Sequence, residues 1–277
     1  MRGFWIFLTF AFLTVGCEQS GRSVAGDREI ASMAEKTTAS IDADARAAAL
    51  AVADRSVEEV SQTFRAIELA REVVLRDLRH ADATGYKTTI ARIDNGRDAE
   101  IQLDVSQGSL KHTGRPLDVA IQGVGFFSIS VDSPPRTGYT RNGNLFVNNS
   151  GELVVGMGDG YQLKPPVRIG VGVTDISIDH DGTISVLIAG DAEPKDVGKL
   201  PNVHFPNPEG LEWFRESVYL ETEKSGKPIE SDSGLSSLIQ GFLESSNVNI
   251  DAAKARLQFL DKWEKALSRA IEDRAAR

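Results

Sequence analysis

Residues 115–127, RPLDVAIQGVGFF, decide the fold class of this chain. The β-branched residues of this segment and its aromatic pair, Phe126 and Phe127, favour strands. Gly123 and Gly125 enclose a single valine, and glycine allows the sharp turn or bulge that separates two short strands. The segment therefore predicts the beginning of a β-domain.

Turn signals continue beyond this segment. Residues 139–146 and 149–154 repeat the pattern of strand, turn and strand at short spacing, as in an antiparallel meander. Asn142-Gly143 predicts a tight hairpin, because both residues tolerate a positive φ. Asp181-Gly182 predicts another hairpin between two short runs of isoleucine, serine and valine. We therefore expect an antiparallel β-domain over residues 114–205.

Helical patterns flank this domain. Between Ile41 and Leu78, and again between Ile250 and Ile271, apolar residues recur at alternating three- and four-residue steps. This spacing is typical of a helix that buries one narrow stripe against a partner helix. If the first helix is continuous, it is about 38 residues or about 57 Å long.

A chain that leaves along one helix and returns along another pairs the two most simply as an antiparallel coiled coil. The predicted fold class is therefore mixed α and β, with a central antiparallel β-domain and paired terminal helices. The residues expected to make the helix pairing are Val57, Val60, Phe64, Ile67, Val74, Leu78, Ile250, Leu257, Leu260 and Leu267.

The N-terminal residues are typical of a secretory signal. Arg2 precedes an apolar run over residues 4–15, which is too short to span a bilayer. Gly16 stands directly before Cys17, the single cysteine, in an arrangement that resembles a bacterial lipoprotein signal with Cys17 as the lipidated residue. An ordinary signal peptide cut nearby, or an uncleaved anchor, remains the alternative. Residues 18–40 lack an apolar period and predict a flexible tether.

Three motifs in order resemble the flagellar hook and basal-body rod protein family, and the distal rod proteins most closely: PLDVAIQGVGFF, YTRNGNLFVNNSGELV and DGYQL. The similarity covers roughly residues 110–250. The residues that carry it are Pro116, Leu117, Asp118, Ile121, Gly123, Gly125, Phe126, Phe127, Tyr139, Thr140, Arg141 and Gly143.

Two weaker matches lie beside the helices. Residues 84–87 read Thr-Gly-Tyr-Lys, similar to the end of the family's N-terminal helix, and residues 246–249 read Ser-Asn-Val-Asn, as at the start of its C-terminal helix. The asparagines that precede the first motif in the family are absent. Residues 261–265 replace the family's Gln-Arg-Ala-Tyr-Glu segment, so both terminal helices diverge.

The resemblance implies a non-enzymatic structural subunit of the basal-body rod that serves bacterial motility. It also implies self-association or association with other rod and hook subunits in the cell envelope. The signal at Cys17 supports an alternative, a membrane-anchored periplasmic or surface lipoprotein that uses the rod-protein fold to bind a partner. Glu18 after the cysteine would favour the outer membrane. A third hypothesis is an enzyme that acts on the cell wall. It has less support, because the sequence shows no pair of residues suited to act as general acid and general base.

Composition and motifs give no reactive centre. The net charge of −9 argues against a non-specific nucleic-acid binder, since such a protein needs a cationic surface to neutralise the phosphates. The four histidines are scattered, so we expect no zinc site. Asp175, Asp179 and Asp181 lack the distal glutamate of a calcium loop and fit a hairpin better. We expect no cofactor, metal, catalytic residue or small-molecule substrate.

The expected organisation has seven parts. They are a signal peptide over 1–17, a tether over 18–40, an N-terminal helix over 41–87, an extended linker with short strands over 88–113, the β-domain over 114–205, a return segment over 206–245 and a C-terminal helix over 246–277.

Overall fold

The computed structural model of the chain describes residues 36–94, 98–131, 136–157, 160–230 and 236–277. Its long helices are α1 (Thr38–Ala53), α2 (Val57–Arg79) and α3 (Ile250–Ala275). None of the helices in the described ranges is long and apolar enough to cross a membrane. The predicted signal peptide and the predicted lipid attachment residue, Cys17, lie outside these ranges.

The expectation of one N-terminal helix over residues 41–87 is wrong, because the chain breaks between α1 and α2. The hydroxyl of Ser56 accepts a hydrogen bond from the Glu59 N–H, and the Glu59 carboxylate accepts one from the Ser56 N–H. This capping box satisfies two free donors and starts a new helix. At the other end, α2 stops at Arg79, eight residues before the predicted end of the helix at residue 87.

The first and last helices run parallel to each other. Lys262 Nζ lies 2.8 Å from Asp42 Oδ1, and further along both helices Arg274 Nη1 donates to the Ala53 carbonyl at 2.9 Å. Residue numbers therefore rise in the same direction along α1 and α3.

The second helix runs in the opposite direction to α3. Arg71 Nε lies 3.1 Å from Asp261 Oδ1, and Arg71 also contacts Glu264. Towards the C-terminal end of α2, Asp77 shares a small cavity with Ala252, in the first turn of α3. The numbers thus rise along one helix as they fall along the other. Because of the break, α3 packs against two N-terminal segments of opposite direction.

The three helices bury a shared apolar core. Of the residues expected to pair the helices, Ile67, Val74, Leu260 and Leu267 are buried in it, and Val60, Phe64, Leu78 and Leu257 pack against it half-buried. Val57 and Ile250 do not pack there, with exposures of 85% and 41%. Each is the first residue of its helix, where side chains extend beyond the packed region.

Eighteen strands follow α2 in the described chain. They are β1 (Thr89–Asp94), β2 (Asp98–Leu103), β3 (Leu110–His112), β4 (Val119–Gly123), β5 (Phe126–Val131), β6 (Arg136–Thr140), β7 (Leu145–Val147), β8 (Leu153–Val155), β9 (Tyr161–Gln162), β10 (Val173–Ile178), β11 (Thr183–Ile188), β12 (Lys195–Lys199), β13 (Asn202–His204), β14 (Glu212–Arg215), β15 (Val218–Leu220), β16 (Ile229–Glu230), β17 (Ser236–Gln240) and β18 (Phe242–Glu244).

The named strand pairs are all antiparallel, as the turn pattern predicted. The largest sheet has the order β14-β15-β6-β5-β13-β16, and two three-stranded sheets have the orders β7-β8-β9 and β10-β11-β12. Strands extend beyond the predicted 114–205 domain, because the return segment over 206–245 contributes β14 to β18. A 3-10 turn at Pro208–Gly210 precedes β14.

Returning strands pair with the first strands of the domain. β17 pairs with β4, with Leu238 opposite Ile121, and β18 pairs with β3, with Leu243 opposite Lys111. The two points at which the chain crosses between helices and β-domain therefore lie side by side.

The turns beside Gly123 and at Gly182 form as predicted, whereas the expected hairpin at Asn142-Gly143 does not. Gly123, Gly125 and Gly182 have φ values of 91°, 134° and 93°, and Gly182 lies between β10 and β11. Neither Asn142 nor Gly143 has a positive φ. β6 pairs with β5 and β15, and β7 pairs with β8, so no hairpin joins β6 to β7.

Glycine is needed at position 143 for another reason, which is the close approach of this segment to Val119. Its carbonyl accepts from the Val119 N–H at 3.0 Å. A Cβ on Gly143 would overlap the Val119 carbonyl. Asn142 keeps a turn role, since its side-chain oxygen accepts from the Asn144 N–H at 3.0 Å.

Candidate functional site

A buried ionic cluster joins the helices to the β-domain. Lys87, which follows α2, and Glu244, the last residue of β18, both have side chains that are 0% exposed, and Lys87 Nζ lies 2.5 Å from Glu244 Oε1. The other oxygen of this carboxylate, Glu244 Oε2, lies 2.6 Å from Arg141 Nε. One carboxylate therefore lies between two buried cations, and we call these three residues the ionic junction.

Arg141 also fixes the turn between β4 and β5. Its Nη1 donates to the carbonyls of Gly123 and Gly125 at 2.9 and 2.8 Å, and its Nη2 donates to that of Ile121 at 2.9 Å. The planar guanidinium presents donors in a fixed fork, so it holds several carbonyls in one arrangement. Motif residues that are separate in the sequence thus meet around one side chain.

Backbone groups complete the ionic junction. Glu244 Oε1 accepts from the Gly108 N–H at 2.8 Å, and Lys87 Nζ donates to the Ser106 carbonyl. Burial, followed by the nearby charge of Arg141, lowers the pKa of Lys87 to about 8, against the attraction of Glu244. Buried charges need this full set of partners, because desolvation costs several kcal/mol per ion.

Gly85 allows the chain to pass close to Arg141 and Glu244. Its N–H donates to the Glu244 carbonyl at 2.8 Å, and its φ is 66°. A Cβ at this position would overlap the backbone of Arg141 and Asn142. Only glycine combines this conformation with this approach.

Asp77, in α2, binds residues that lie next to Lys87 in the sequence. Its carboxylate accepts from Tyr86 OH at 2.7 Å, from Thr88 Oγ1 at 2.5 Å and from the Thr89 N–H at 3.1 Å. Burial raises the pKa of Asp77, while these hydrogen bonds oppose the shift. Burial likewise raises the pKa of Tyr86. The acid ties the last turns of α2 to the start of β1.

Asn247, in the Ser-Asn-Val-Asn motif, connects the returning chain to the same region. Its side-chain oxygen accepts from the Thr88 N–H at 2.7 Å. Its nitrogen donates to the Asp104 and Ser106 carbonyls at 3.0 and 3.1 Å. Asn249 then caps α3, because its side chain accepts from the Ala252 N–H.

The strand β15 supplies further contacts. Tyr219 OH accepts from the Lys87 N–H at 2.6 Å and is fully buried. Thr140 Oγ1 donates to the Ser217 carbonyl at 2.7 Å. These two bonds hold Lys87 and Thr140, the residue before Arg141, against β15 and the turn that precedes it.

Other motif residues build the cores of the β-domain rather than the ionic junction. Ile121 and Phe127 lie in the main apolar core, which the strands enclose. Phe126 and Tyr139 lie in a second cluster with Phe205, where the Tyr139 and Phe205 rings pack edge to face with centroids 4.8 Å apart. These residues stabilise the scaffold that holds Arg141.

The start of the first motif anchors neighbouring strands. Gln240 Nε2 donates to the Pro116 carbonyl at 2.8 Å, and the Leu145 N–H donates to the Leu117 carbonyl at 3.0 Å. Asp118 is buried and forms a bridge with Asn144. These residues do not reach the ionic junction.

Comparison with known proteins identifies the family to which the chain belongs. The family described as "Flagellar hook protein FlgE/F/G D1 domain" matches residues 120–186, a region that contains Arg141 but not Lys87 or Glu244. The flagellar basal-body rod protein FlgG of Bacillus subtilis is 32% identical over 195 residues, which cover 64% of this chain and 72% of that protein. The chain belongs to the flagellar hook and basal-body rod protein family.

Other members of the rod family match a shorter region. FlgG of Buchnera aphidicola subsp. Acyrthosiphon pisum is 39% identical over 148 residues, which cover 52% of this chain and 56% of that protein. The rod protein FlgF of Salmonella typhimurium is 33% identical over 152 residues, covering 52% of this chain and 59% of that protein. The chain thus spans little more than half the length of these two curated relatives.

Two residues of the ionic junction, Glu244 and Lys87, could not be identified from the sequence. Lys87 lay in a noted motif, but the motif gave no sign that its side chain is buried. Glu244 had no local signal, because it ends a short strand directly before a family motif. Among the described residues, the ionisable side chains form no cluster of three or more potential metal ligands.

Proposed function

We propose that this chain is a non-enzymatic structural subunit of the bacterial flagellar basal-body rod, and that it assembles with copies of itself or with other rod and hook subunits. The observation that carries the proposal is the meeting of its family motifs at one buried junction. The similarity to rod proteins named FlgG and FlgF supports it as well.

The ionic junction suits such a role. A subunit in a regular assembly must keep its helices and its β-domain in one fixed relation, because neighbours contact both. Three buried charged side chains, paired in one geometry, resist sliding and rotation at the point where the two parts meet.

We also propose that α2 and α3 pair as an antiparallel coiled coil, as the apolar spacing predicts. Their opposite directions and the shared burial of Ile67, Val74, Leu260 and Leu267 support this. The contact of Arg71 with Asp261 and Glu264 beside that core resembles the flanking ion pairs of coiled coils.

Assembly of the purified protein tests the function. The chain from Glu18 onward is examined by light scattering and electron microscopy as its concentration rises. Growth of the mass into filaments supports the rod proposal, while a monomer at every concentration, alone and with rod subunits of the same cell, contradicts it.

A pair of surface variants shows which part assembles. Leu50→Glu changes an exposed residue of α1, and Val171→Glu changes an exposed residue of a β-domain loop. If the terminal helices make subunit contacts, Leu50→Glu raises the concentration needed for assembly and Val171→Glu does so less. Circular dichroism establishes that both variants remain folded.

The lipoprotein alternative depends on the sequence around Cys17 alone. It proposes that Cys17 is acylated and that the chain binds its partner from a membrane anchor. Mass spectrometry of the N-terminal peptide from membrane fractions tests this separately. An unmodified Cys17, or a mature chain that lacks it, contradicts the anchor and leaves the rod proposal unaffected.

A further inference from the structure

The buried faces of α1 and α2 lie in phase. Each helix buries one stripe of residues at steps of three or four positions. The stripes consist of Ala45, Ala49 and Val52 in α1 and of Thr63, Ile67, Ala70 and Val74 in α2. Val52 and Thr63 are eleven positions apart, which is close to three full turns of an α-helix. A single straight helix over residues 38–79 would therefore carry both stripes on the same side.

A short segment, residues 54–56, separates α1 from α2, and we call it the hinge. At its last residue, Ser56, φ is −62° and ψ is 157°. This φ already has a helical value, whereas ψ is extended. The capping box of Ser56 and Glu59 stabilises the bent form. A change of backbone torsion angles in the hinge would join α1 and α2 into one helix about 63 Å long.

Two large apolar side chains beside the hinge remain in solvent. Leu50 is 68% exposed and Val57 is 85% exposed. The two residues are seven positions apart, so in a straight helix they lie on the same side, about two turns from each other. The bent chain thus leaves an apolar pair unburied at the point where α1 and α2 separate.

The hinge lies at the C-terminal end of α3. Arg274, in the last turn of that helix, donates to the Ala53 carbonyl at 2.9 Å and to the Arg55 carbonyl at 3.3 Å. From there α1 lies along α3 as far as Lys262, which contacts Asp42. If the hinge straightened, α1 would extend past the end of its own α3 and would lose these contacts.

We propose that two copies of this chain exchange α1. In each copy the hinge straightens, and α1 leaves its own α3 and packs on the α3 of the other copy. The ion pair of Asp42 with Lys262 and the hydrogen bond from Arg274 to Ala53 then form between the copies. Each contact that α1 gives up is regained, and for this reason the exchange of an identical element is a low-cost route to a dimer. The proposal does not depend on the rod function.

The directions of the helices determine the symmetry of the exchanged pair. Within one copy, α1 runs parallel to α3 and α2 runs antiparallel to it. A straight helix has one direction, so the α3 of the second copy must run antiparallel to the α3 of the first. The pair is therefore a two-fold dimer, with the hinges, Leu50 and Val57 near its axis. Such a dimer is closed, so it keeps both subunits out of an open, filament-like assembly.

A proline at the hinge should prevent the exchange. Val57 is the first residue of α2, where proline is favoured, and the preceding Ser56 is extended, as a residue before proline prefers. In a straight helix the same proline removes a hydrogen bond and clashes with the preceding turn. We expect Val57→Pro to lower the dimerisation constant by more than about a thousandfold over the two hinges. Val57→Ala, which permits the helix, should dimerise far more than Val57→Pro.

Removal of the cap should favour the exchange. Ser56→Ala deletes the hydroxyl that accepts from the Glu59 N–H and so destabilises the bent form. The loss of such a cap typically weakens the start of a helix by about fivefold. Because two hinges straighten, we expect the dimerisation constant to rise by roughly 25-fold. Light scattering of the full chain over a range of concentrations measures the constant for each variant.

Crosslinking between chains distinguishes exchange from any other dimer. One chain carries Asp42→Cys and another carries Lys262→Cys, and both carry Cys17→Ser so that the native cysteine does not react. The two chains are unfolded, refolded together and treated with a short thiol crosslinker. Exchange should give a covalent dimer with one chain of each kind. The Asp42→Cys chain alone should give none, because its two cysteines lie at opposite ends of the dimer.

A chain that carries both cysteines shows whether the pair reacts at all. In the bent monomer it should crosslink within one chain, also when it carries Val57→Pro. The proposal is overturned if this double variant crosslinks within one chain while the mixed chains, with or without Ser56→Ala, yield no covalent dimer. It is equally overturned if Val57→Pro leaves the yield of covalent dimer unchanged.

Discussion

Glu244 and Arg141 form an ion pair that is shielded from solvent, with Arg141 Nε 2.6 Å from Glu244 Oε2, although 103 positions separate the two residues in the sequence. Arg141 at the same time binds the turn between β4 and β5, and Glu244 binds Lys87. A single contact therefore connects the first turn of the β-domain, the returning strand and the end of the N-terminal helices.

Glu244→Gln should destabilise the protein strongly. It leaves Lys87 and Arg141 buried without a countercharge, and breaking a buried pair in this way costs about 3 to 5 kcal/mol. Chemical denaturation measures the change in the free energy of unfolding. The matched control, Glu223→Gln, alters an exposed carboxylate and should stay within about 0.5 kcal/mol of the wild type. Equal effects of the two substitutions would contradict the assigned role of Glu244.

The stability that depends on Lys87 should rise with pH. Its pKa is about 8 in the folded protein and 10.5 in an ordinary lysine, so between these values the unfolded chain binds more protons. The cost of keeping Lys87 charged in the interior is therefore fully present below about pH 8 and is relieved above it.

The comparison with Lys87→Met isolates this effect. The free energy of unfolding of the wild type, minus that of Lys87→Met, should increase by up to about 1.4 kcal/mol per pH unit between about pH 8 and about pH 10. The same difference for Lys224→Met, at an exposed lysine, should stay nearly constant. A flat difference for Lys87 would show that its pKa is not lowered.

Gly85→Ala should be more damaging than Gly156→Ala. Both glycines have positive φ, 66° and 88°, so alanine at either position costs roughly 1 to 2 kcal/mol in backbone strain. A Cβ at Gly156 meets nothing within 4 Å, whereas one at Gly85 overlaps the backbone of Arg141. Thermal denaturation should rank Gly85→Ala clearly lower, and equal melting temperatures would refute the close approach.

Leu267→Ala should weaken the helical core. Leu267 is fully buried among α1, α2 and α3, and removing such a side chain typically costs about 2 to 5 kcal/mol. Val57→Ala, at the exposed first residue of α2, should change the free energy of unfolding by less than about 0.5 kcal/mol. Denaturation followed by circular dichroism at a helix-sensitive wavelength measures both. An effect at Val57 as large as that at Leu267 would mean that the apolar stripe packs in another arrangement.

Local signals in the sequence predicted much of the β-domain. Asp181-Gly182 forms its hairpin, and Gly123 and Gly125 adopt the positive φ values that a sharp turn needs. Glycine adopts a positive φ readily, so short patterns are enough to foresee these turns, although distant residues such as Arg141 also hold them in place. Asn142-Gly143 carries an equally strong local signal, yet distant packing against Val119 decides its conformation.

The helices and the ionic junction were harder to predict. Apolar spacing found the buried residues Ile67 and Leu260, but it passed over the capping box of Ser56 and Glu59, which divides the first helix in two. Glu244 meets its partners only through tertiary structure. Charged residues are mostly exposed, so nothing in its local sequence predicts complete burial.

The pairing of the returning strands with the first strands of the β-domain has a consequence for folding. Lys87 and Glu244, which meet in the ionic junction, are 157 positions apart. Contacts of such long range form slowly, because a large loop must close before any of them forms. A nascent chain that has not reached residue 244 cannot form the ionic junction, so the helices and the β-domain are held in their final relation only after Glu244 has been synthesised.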